Sequence, residues 1–318
     1  MGLLVNGVWQ QQSLEELSKN GNFVKPDAAF KNWVTADGSA GPTGVGGFKA
    51  EKGRYHLVVS YACPWASRTL VMRVLKDLED IVSLSVVNPL MLEQGWTFEA
   101  GDKVVADPIM GADYLHQLYT LSNPDYTGRV SVPILWDKKT GQIVSNESAD
   151  IMRMFNSAFN DLTGNQVDYY PESLREQIEQ MNEWIYTTFN QGVYKAGMAS
   201  SQSAYEKAVT DVFETMEKLN QLFTKQTYLL GDKVTEADWR LFTTLVRFDA
   251  VYYGHFKCNL KRLVDFPNLW NYTKRLYHQP KIADTVHLDH VKIHYYGSHR
   301  HINPTGIVPL GPDIDWSL

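Results

Sequence analysis

Short β-branched runs alternate with helical spacings along the first half of the chain, and the rhythm changes near Pro171. Tyr55-His56-Leu57-Val58-Val59-Ser60 predicts a buried strand. Beyond Cys63-Pro64-Trp65-Ala66, the positions Leu70, Val71, Val74, Leu75 and Leu78 recur as one helix face. Ile81 to Val87 predicts a second strand and Val130 to Trp136 a third. Asp137-Lys138-Lys139-Thr140-Gly141 turns the third into a fourth at Gln142-Ile143-Val144. Ser145-Asn146-Glu147-Ser148 then opens a helix carrying Ile151, Met152 and Phe155. Residues 1 to about 50 predict an irregular extension, and Asn88 to Arg129 an insert without a clear period.

From Pro171 onward the strand signals stop. Ile178, Met181 and Ile185 share a helix face, and Tyr205, Val209, Val212, Phe213, Met216, Leu219 and Leu222 mark a long amphipathic helix. Thr235-Glu236-Ala237-Asp238 is a capping box that starts a helix holding Leu241, Leu245 and Val246. The order β-α-β, β-hairpin, α is that of a thioredoxin-like domain, so the expected fold is an α/β thioredoxin-like N-terminal domain followed by an all-α domain. The expected boundaries are an extension over 1–50, the α/β domain over 51–165 with its insert at about 88–129, and the helical domain over 166–318.

Composition narrows the function classes. At 318 residues, 44% hydrophobic and 21% charged, the chain can bury two cores. Its net charge of −6 gives no electrostatic reason to expect nucleic acid or an anionic membrane as partner. No apolar run approaches the ~18 residues of a membrane span, and Met1 to Asn6 shows neither a secretory leader nor a myristoylation signal. Only Cys63 and Cys258 occur, which excludes a disulfide scaffold and suits a reducing cytoplasm. The glycine-rich stretch Ala36 to Gly47 lacks the closing Gly-Lys-Ser/Thr of a phosphate loop and reads as an extended arm over the body of the protein. His290 and His294 are four apart without a third ligand, so no metal is expected; they read as packing near Tyr295.

Chemistry concentrates at Cys63. It stands where a strand ends and a helix begins, with Pro64 at the favoured first helical position. Free N–H groups at such a terminus stabilise an anion, so the thiol can act as a nucleophilic thiolate; the competing reading is an inert buried cysteine. Ala66 stands where a dithiol oxidoreductase has its second cysteine. A local disulfide is therefore excluded, and a mixed disulfide would need a second small thiol, with glutathione the expected one. Cys258 reads as structural. Val132-Pro133 is either an edge-strand proline or a cis bond that aims the Val132 backbone at an extended peptide. Glu147-Ser148 is either a plain cap or a carboxylate-binding helix start.

Taken together, Tyr61-Ala62-Cys63-Pro64-Trp65-Ala66, Asn88-Pro89-Leu90-Met91, Gly95-Trp96-Thr97-Phe98, Arg129-Val130-Ser131-Val132-Pro133, Ser145-Asn146-Glu147-Ser148, Gly192-Val193-Tyr194-Lys195-Ala196-Gly197 and Arg247-Phe248-Asp249 resemble the glutathionyl-hydroquinone reductases, the Xi class of the glutathione transferase superfamily. The resemblance runs from Trp33 to about Gly306. It implies reduction of glutathionyl-hydroquinones to hydroquinones through a Cys63-glutathione mixed disulfide, with glutathione as co-substrate and glutathione disulfide as product. It places Trp96 against glutathione, and Arg129, Val130, Ser131 and the Val132 backbone at its glycine and cysteine portions. It places Glu147 and Ser148 at the γ-glutamyl end. It makes Tyr194 the proton donor to the leaving ring, and Tyr252 and Tyr295 hydrogen-bond partners of Cys63 or of the ring oxygens; without it, all three would read as core. It also implies a homodimer. The family usually carries His where Ser67 follows Ala66, and the tail ending at Asp315-Trp316-Ser317-Leu318 reads as short for the family.

Three other activities compete. An omega-like thioltransferase or dehydroascorbate reductase would use the same cysteine. A conjugating glutathione transferase would activate glutathione with Ser or Tyr where this chain has Cys63. A non-catalytic interaction module would need none of these residues.

Overall fold

A computed structural model describes residues 2–11, 18–19, 22–23 and 28–318. It opens with two short antiparallel pairs, β1 (Gly2–Val5) with β2 (Val8–Gln11) and β3 (Ser18–Lys19) with β4 (Asn22–Phe23). The first pair corrects the expectation of an irregular N-terminus. Asn6 and Gly7 both take positive φ, 48° and 74°, which is the turn that joins two twisted strands in two residues.

Chain contacts divide the molecule into two units, one built from the described residues of 1–14 and 25–168, the other from those of 15–24 and 169–318. The centre of the first unit is β5 (Tyr55–Val59). It pairs in parallel with β6 (Ser83–Val86) and antiparallel with β8 (Ile134–Asp137), and β8 pairs antiparallel with β9 (Gln142–Ser145). The sheet order is β6-β5-β8-β9. All five residues of β5 are buried, as expected of an inner strand covered on both faces. His56 is a satisfied core histidine: its ring nitrogens lie 2.7 and 2.9 Å from the hydroxyls of Ser83 and Ser85, and burial pushes it down to about 4.

Helix α1 (Pro64–Leu75) follows β5, and α3 (Ser148–Ser157) lies beside it. Within the unassigned insert are α2 (Leu115–Ser122) and β7 (Gly128–Arg129), and β7 pairs with β1 rather than with the main sheet. The third strand starts at Ile134, not at Val130. Pro133 has no N–H to give a ladder, its bond to Val132 is cis, and the Ser131 backbone is engaged by a side chain described below. Residues 30–32 run along β9: Asn32 N donates to Val144 O (2.9 Å) and Asn146 N to Phe30 O (3.3 Å). A short α4 (Asn160–Thr163) ends the unit's helices, with Gly164 in the left-handed region at its C-terminus.

Apart from the β3–β4 pair, the second unit is helical: α5 (Arg175–Ile185), α6 (Gly192–Gly197), α7 (Gln202–Leu222), α8 (Glu236–Leu245), α9 (Pro267–Tyr277) and α10 (Leu288–Ser298). The predicted stripe of α7 is buried at Val209, Val212, Phe213, Met216 and Leu219. The capping box of α8 forms, and Asp238 does more than cap. One carboxylate oxygen accepts Thr235 N (2.8 Å) and the Thr235 hydroxyl (3.0 Å); the other accepts Leu229 N and the Tyr272 hydroxyl, both at 2.9 Å. Single π-helical turns at Tyr186–Asn190 and Phe248–Tyr252 interrupt the bundle, a geometry found often at functional sites.

Candidate active site

Cys63 is the N-cap residue of α1, extended at φ −76°, ψ 120°, with Pro64 beginning the helix. Its carbonyl accepts Ser67 N (3.0 Å), which starts the helical ladder. Its side chain forms no capping bond. The sulfur instead lies 3.7 Å from the Val132 carbonyl oxygen and is partly exposed. Strand β5 and helix α1 thus present a thiol at the helix mouth, where unsatisfied amides and the dipole favour negative charge. Ser67 and Arg68 are both buried on the first turns of α1.

The cis bond between Val132 and Pro133 brings Val132 opposite that sulfur. Just upstream, the Tyr119 hydroxyl donates to Ser131 O (2.8 Å) and accepts from Ser131 N (3.2 Å), so one buried phenol closes on the backbone of the loop. The same oxygen accepts Asn146 Nδ2 (3.2 Å), tying that loop to the residue before Glu147. Pattern alone missed Tyr119, because it lies on α2 inside the segment that showed no period. Its signal exists locally: Leu115, Leu118 and Tyr119 form a one-sided buried stripe.

Arg129 is half-buried, and burial pushes its guanidinium down from the usual range. Among the described residues no carboxylate pairs with it, so it is suited to an anionic ligand. Glu147 caps α3, with Oε1 accepting Ala149 N (3.1 Å) and the Ser148 hydroxyl (3.3 Å). Ser148 is buried at the first position of that helix. Trp96 is buried, and its carbonyl accepts Leu115 N (2.9 Å) at the start of α2.

In the second unit three tyrosines from three separate segments converge. Tyr194 lies on α6, Tyr252 ends the π-helical turn and Tyr295 lies on α10. The Tyr295 hydroxyl is bonded to that of Tyr194 and lies 3.1 Å from that of Tyr252. Burial holds Tyr295 well above the ordinary phenol range, and the neighbouring Tyr252 adds to this. Tyr194 is 9% exposed against 0% and 1% for Tyr252 and Tyr295, so it is the outermost member of the chain. Behind them sit His294, whose ring is edge-on to Tyr295 at 5.4 Å, and a His255–His299 pair at 3.1 Å. Among the described residues no three or more His, Cys, Asp or Glu side chains are grouped to hold a metal.

Cys258 is fully buried, donates weakly to Phe256 O at 3.9 Å, and is pushed up to about 12 by burial.

A thioredoxin-type sheet with a cysteine at a helix mouth, joined to a helical bundle, defines the glutathione transferase class. Residues 62–158 match the glutathione S-transferase N-terminal domain and 202–275 the C-terminal domain. The chain is 54% identical to glutathionyl-hydroquinone reductase YqjG of Escherichia coli (strain K12), over 99% of this chain and 97% of that one. It is 50% identical to glutathionyl-hydroquinone reductase PcpF of Sphingobium chlorophenolicum, over 98% and 96%. The glutathione-bound structure of the Escherichia coli protein superposes with a TM-score of 0.92 at 52% identity, over 99% of this chain and 97% of that one. The chain therefore belongs to the glutathione transferase family and, within it, to the glutathionyl-hydroquinone reductases, the Xi class.

Proposed function

We propose that this protein reduces glutathionyl-hydroquinones to hydroquinones at the expense of glutathione. The observation that carries the reading is Cys63 as the partly exposed N-cap residue of α1, followed by Pro64 and with no cysteine at position 66. In the first step the Cys63 thiolate attacks the glutathionyl sulfur of the substrate. An S–S bond forms, the bond from sulfur to ring carbon breaks, and the electron pair passes to the ring, which takes up a proton. In the second step a glutathione thiolate attacks the glutathionyl sulfur on Cys63, releasing glutathione disulfide and the enzyme thiolate. The ring carbon exchanges its sulfur for hydrogen and is reduced, and the substrate's thioether sulfur and one glutathione thiol end as one disulfide, with Cys63 regenerated.

The first unit is assigned to glutathione. Arg129 takes its glycine carboxylate, Val130, Ser131 and the Val132 backbone its central portion, and Trp96 lies against it. At the helix start, Ser148 meets the γ-glutamyl carboxylate and Glu147 its ammonium group. The second unit is assigned to the ring. Tyr194, the outermost of the three phenols, hands over the proton, and Tyr295 and Tyr252 supply the hydrogen-bonded chain behind it. A conjugating transferase is disfavoured because a protein thiol would capture the glutathionyl sulfur. Glutathione is a co-substrate, no metal takes part, and the working form is a cytoplasmic homodimer; a monomer at micromolar concentration by sedimentation would overturn the last assignment.

The test is turnover of glutathionyl-menadiol with glutathione. Cys63→Ala is expected to lose at least about a thousandfold in rate while melting cooperatively. Retained turnover in a folded Cys63→Ala protein would contradict the mechanism.

A further inference from the structure

The hairpin of β1 and β2 touches two segments that carry residues assigned above to glutathione. β1 pairs with β7, setting Leu3 opposite Arg129 and Leu4 opposite Gly128. The turn reinforces the ladder: Asn6 N donates to the Thr127 hydroxyl (2.8 Å) and Gly7 N to Tyr126 O (3.0 Å). Strand β7 has only two residues, and a slip of one would turn the Arg129 side chain to the opposite face. β1 is the ladder partner that holds this register, alongside the Tyr126 hydroxyl, which donates to Arg129 O (3.0 Å).

On β2, Trp9 Nε1 donates to Glu93 O (3.0 Å). Its ring stacks on His116 at 4.9 Å and 17°, and His116 stacks on Tyr114 at 5.2 Å and 14°. Gly95 sits beneath the indole with φ 70°, and a Cβ there would come within 2.8 Å of the ring. Trp96 is the next residue, and its carbonyl is held from the other side by Leu115 N (2.9 Å). The loop bearing Trp96 has little regular structure of its own; backbone bonds from Asn88 N to Thr97 O and from Phe98 N to Asp113 O (both 2.8 Å) pin the residues after Trp96, and Trp9 packs on the residue before it.

We propose that the N-terminal hairpin is a positioning element for glutathione, with Trp9 setting the loop that carries Trp96 and β1 setting the register of Arg129. This rests on the assignment of Trp96 and Arg129 to glutathione. Trp9 touches no substrate in this account; it acts through the loop.

The experiment compares steady-state kinetics of Trp9→Ala, Trp9→Phe, His116→Ala, Arg129→Ala and Trp96→Ala in the full chain. Trp9→Ala is expected to raise KM for glutathione and for glutathionyl-menadiol roughly tenfold, since displacement of a binding group by a fraction of an ångström has that order of effect. Its kcat at saturation stays within about twofold, and Cys63 reacts with iodoacetamide, which has no glutathione moiety, at the wild-type rate. Trp9→Phe keeps the stack and recovers most of the loss. His116→Ala, which removes the middle ring of the stack, gives a smaller rise of the same kind and serves if Trp9→Ala does not fold. If Arg129→Ala and Trp96→Ala raise both KM values while the folded hairpin variants do not, the positioning role is overturned and the glutathione assignment stands. If Arg129→Ala and Trp96→Ala leave them unchanged, the assignment fails and the positioning role fails with it. Equal loss of kcat and of iodoacetamide reactivity in the hairpin variants would mark a merely structural part and overturn the proposal.

Discussion

The two cysteines have the same side chain and opposite surroundings. Both sulfurs face a backbone carbonyl, Val132 O at 3.7 Å for Cys63 and Phe256 O at 3.9 Å for Cys258. Cys63 is partly exposed and stands at the start of a twelve-residue helix. Cys258 is enclosed, and burial lifts its thiol to about 12 against the slight opposing pull of Lys257. A carbonyl neighbour therefore does not decide the chemistry. Access and the direction of the nearest helix do, because one site offers N–H groups to an anion and the other removes it from water.

The largest expected difference is in alkylation. At neutral pH, iodoacetamide should modify Cys63 of the native protein at least about a thousandfold faster than Cys258, read by peptide mass, since only an accessible thiolate reacts. Comparable rates would erase the contrast. Next in size is the ring-handling end: Tyr194→Phe should lower turnover about a hundredfold, the usual worth of a positioned general acid, with Cys63 alkylation unchanged. A loss confined to glutathione KM would make Tyr194 a binding residue instead. The smallest effect concerns stability. A thiol raised from its ordinary 9.0 to about 12 in the folded chain stabilises the fold below pH 9 and loses that contribution as pH climbs toward 12, because only the unfolded chain releases the proton. Urea unfolding should therefore show wild type losing about 1 kcal/mol more than Cys258→Val between pH 8 and pH 10. Parallel losses would mean that Cys258 is not enclosed in solution.

What was legible in the chain was what its local chemistry dictates. The apolar run of β5, the stripe of α7 and the capping box at Thr235 each carry their signal within a few residues, and each forms. Asn6-Gly7 between Leu3-Leu4-Val5 and Val8-Trp9 is an equally local hairpin signal, but two strands of four residues each are marginal alone and need a third. The partner is β7, more than a hundred residues away. The limits of the third strand escaped prediction for a similar reason: Val130 and Ser131 have strand-forming neighbours, but Pro133 and the distant Tyr119 hydroxyl take them out of the ladder. The grouping of Tyr194, Tyr252 and Tyr295 has no local signal, since α6, the π-helical turn and α10 meet only through packing. Only the family resemblance singled those three out of 17 tyrosines.

Intact mass after incubation with glutathione disulfide tests the nucleophile most directly. Wild type and Cys258→Ser should each gain a single glutathionyl group, placed on Cys63 by peptide mapping and removed by fresh glutathione, and Cys63→Ser should gain none. An adduct on Cys258, or an unmodified Cys63 in a protein that still turns over glutathionyl-menadiol, would contradict the mixed-disulfide mechanism.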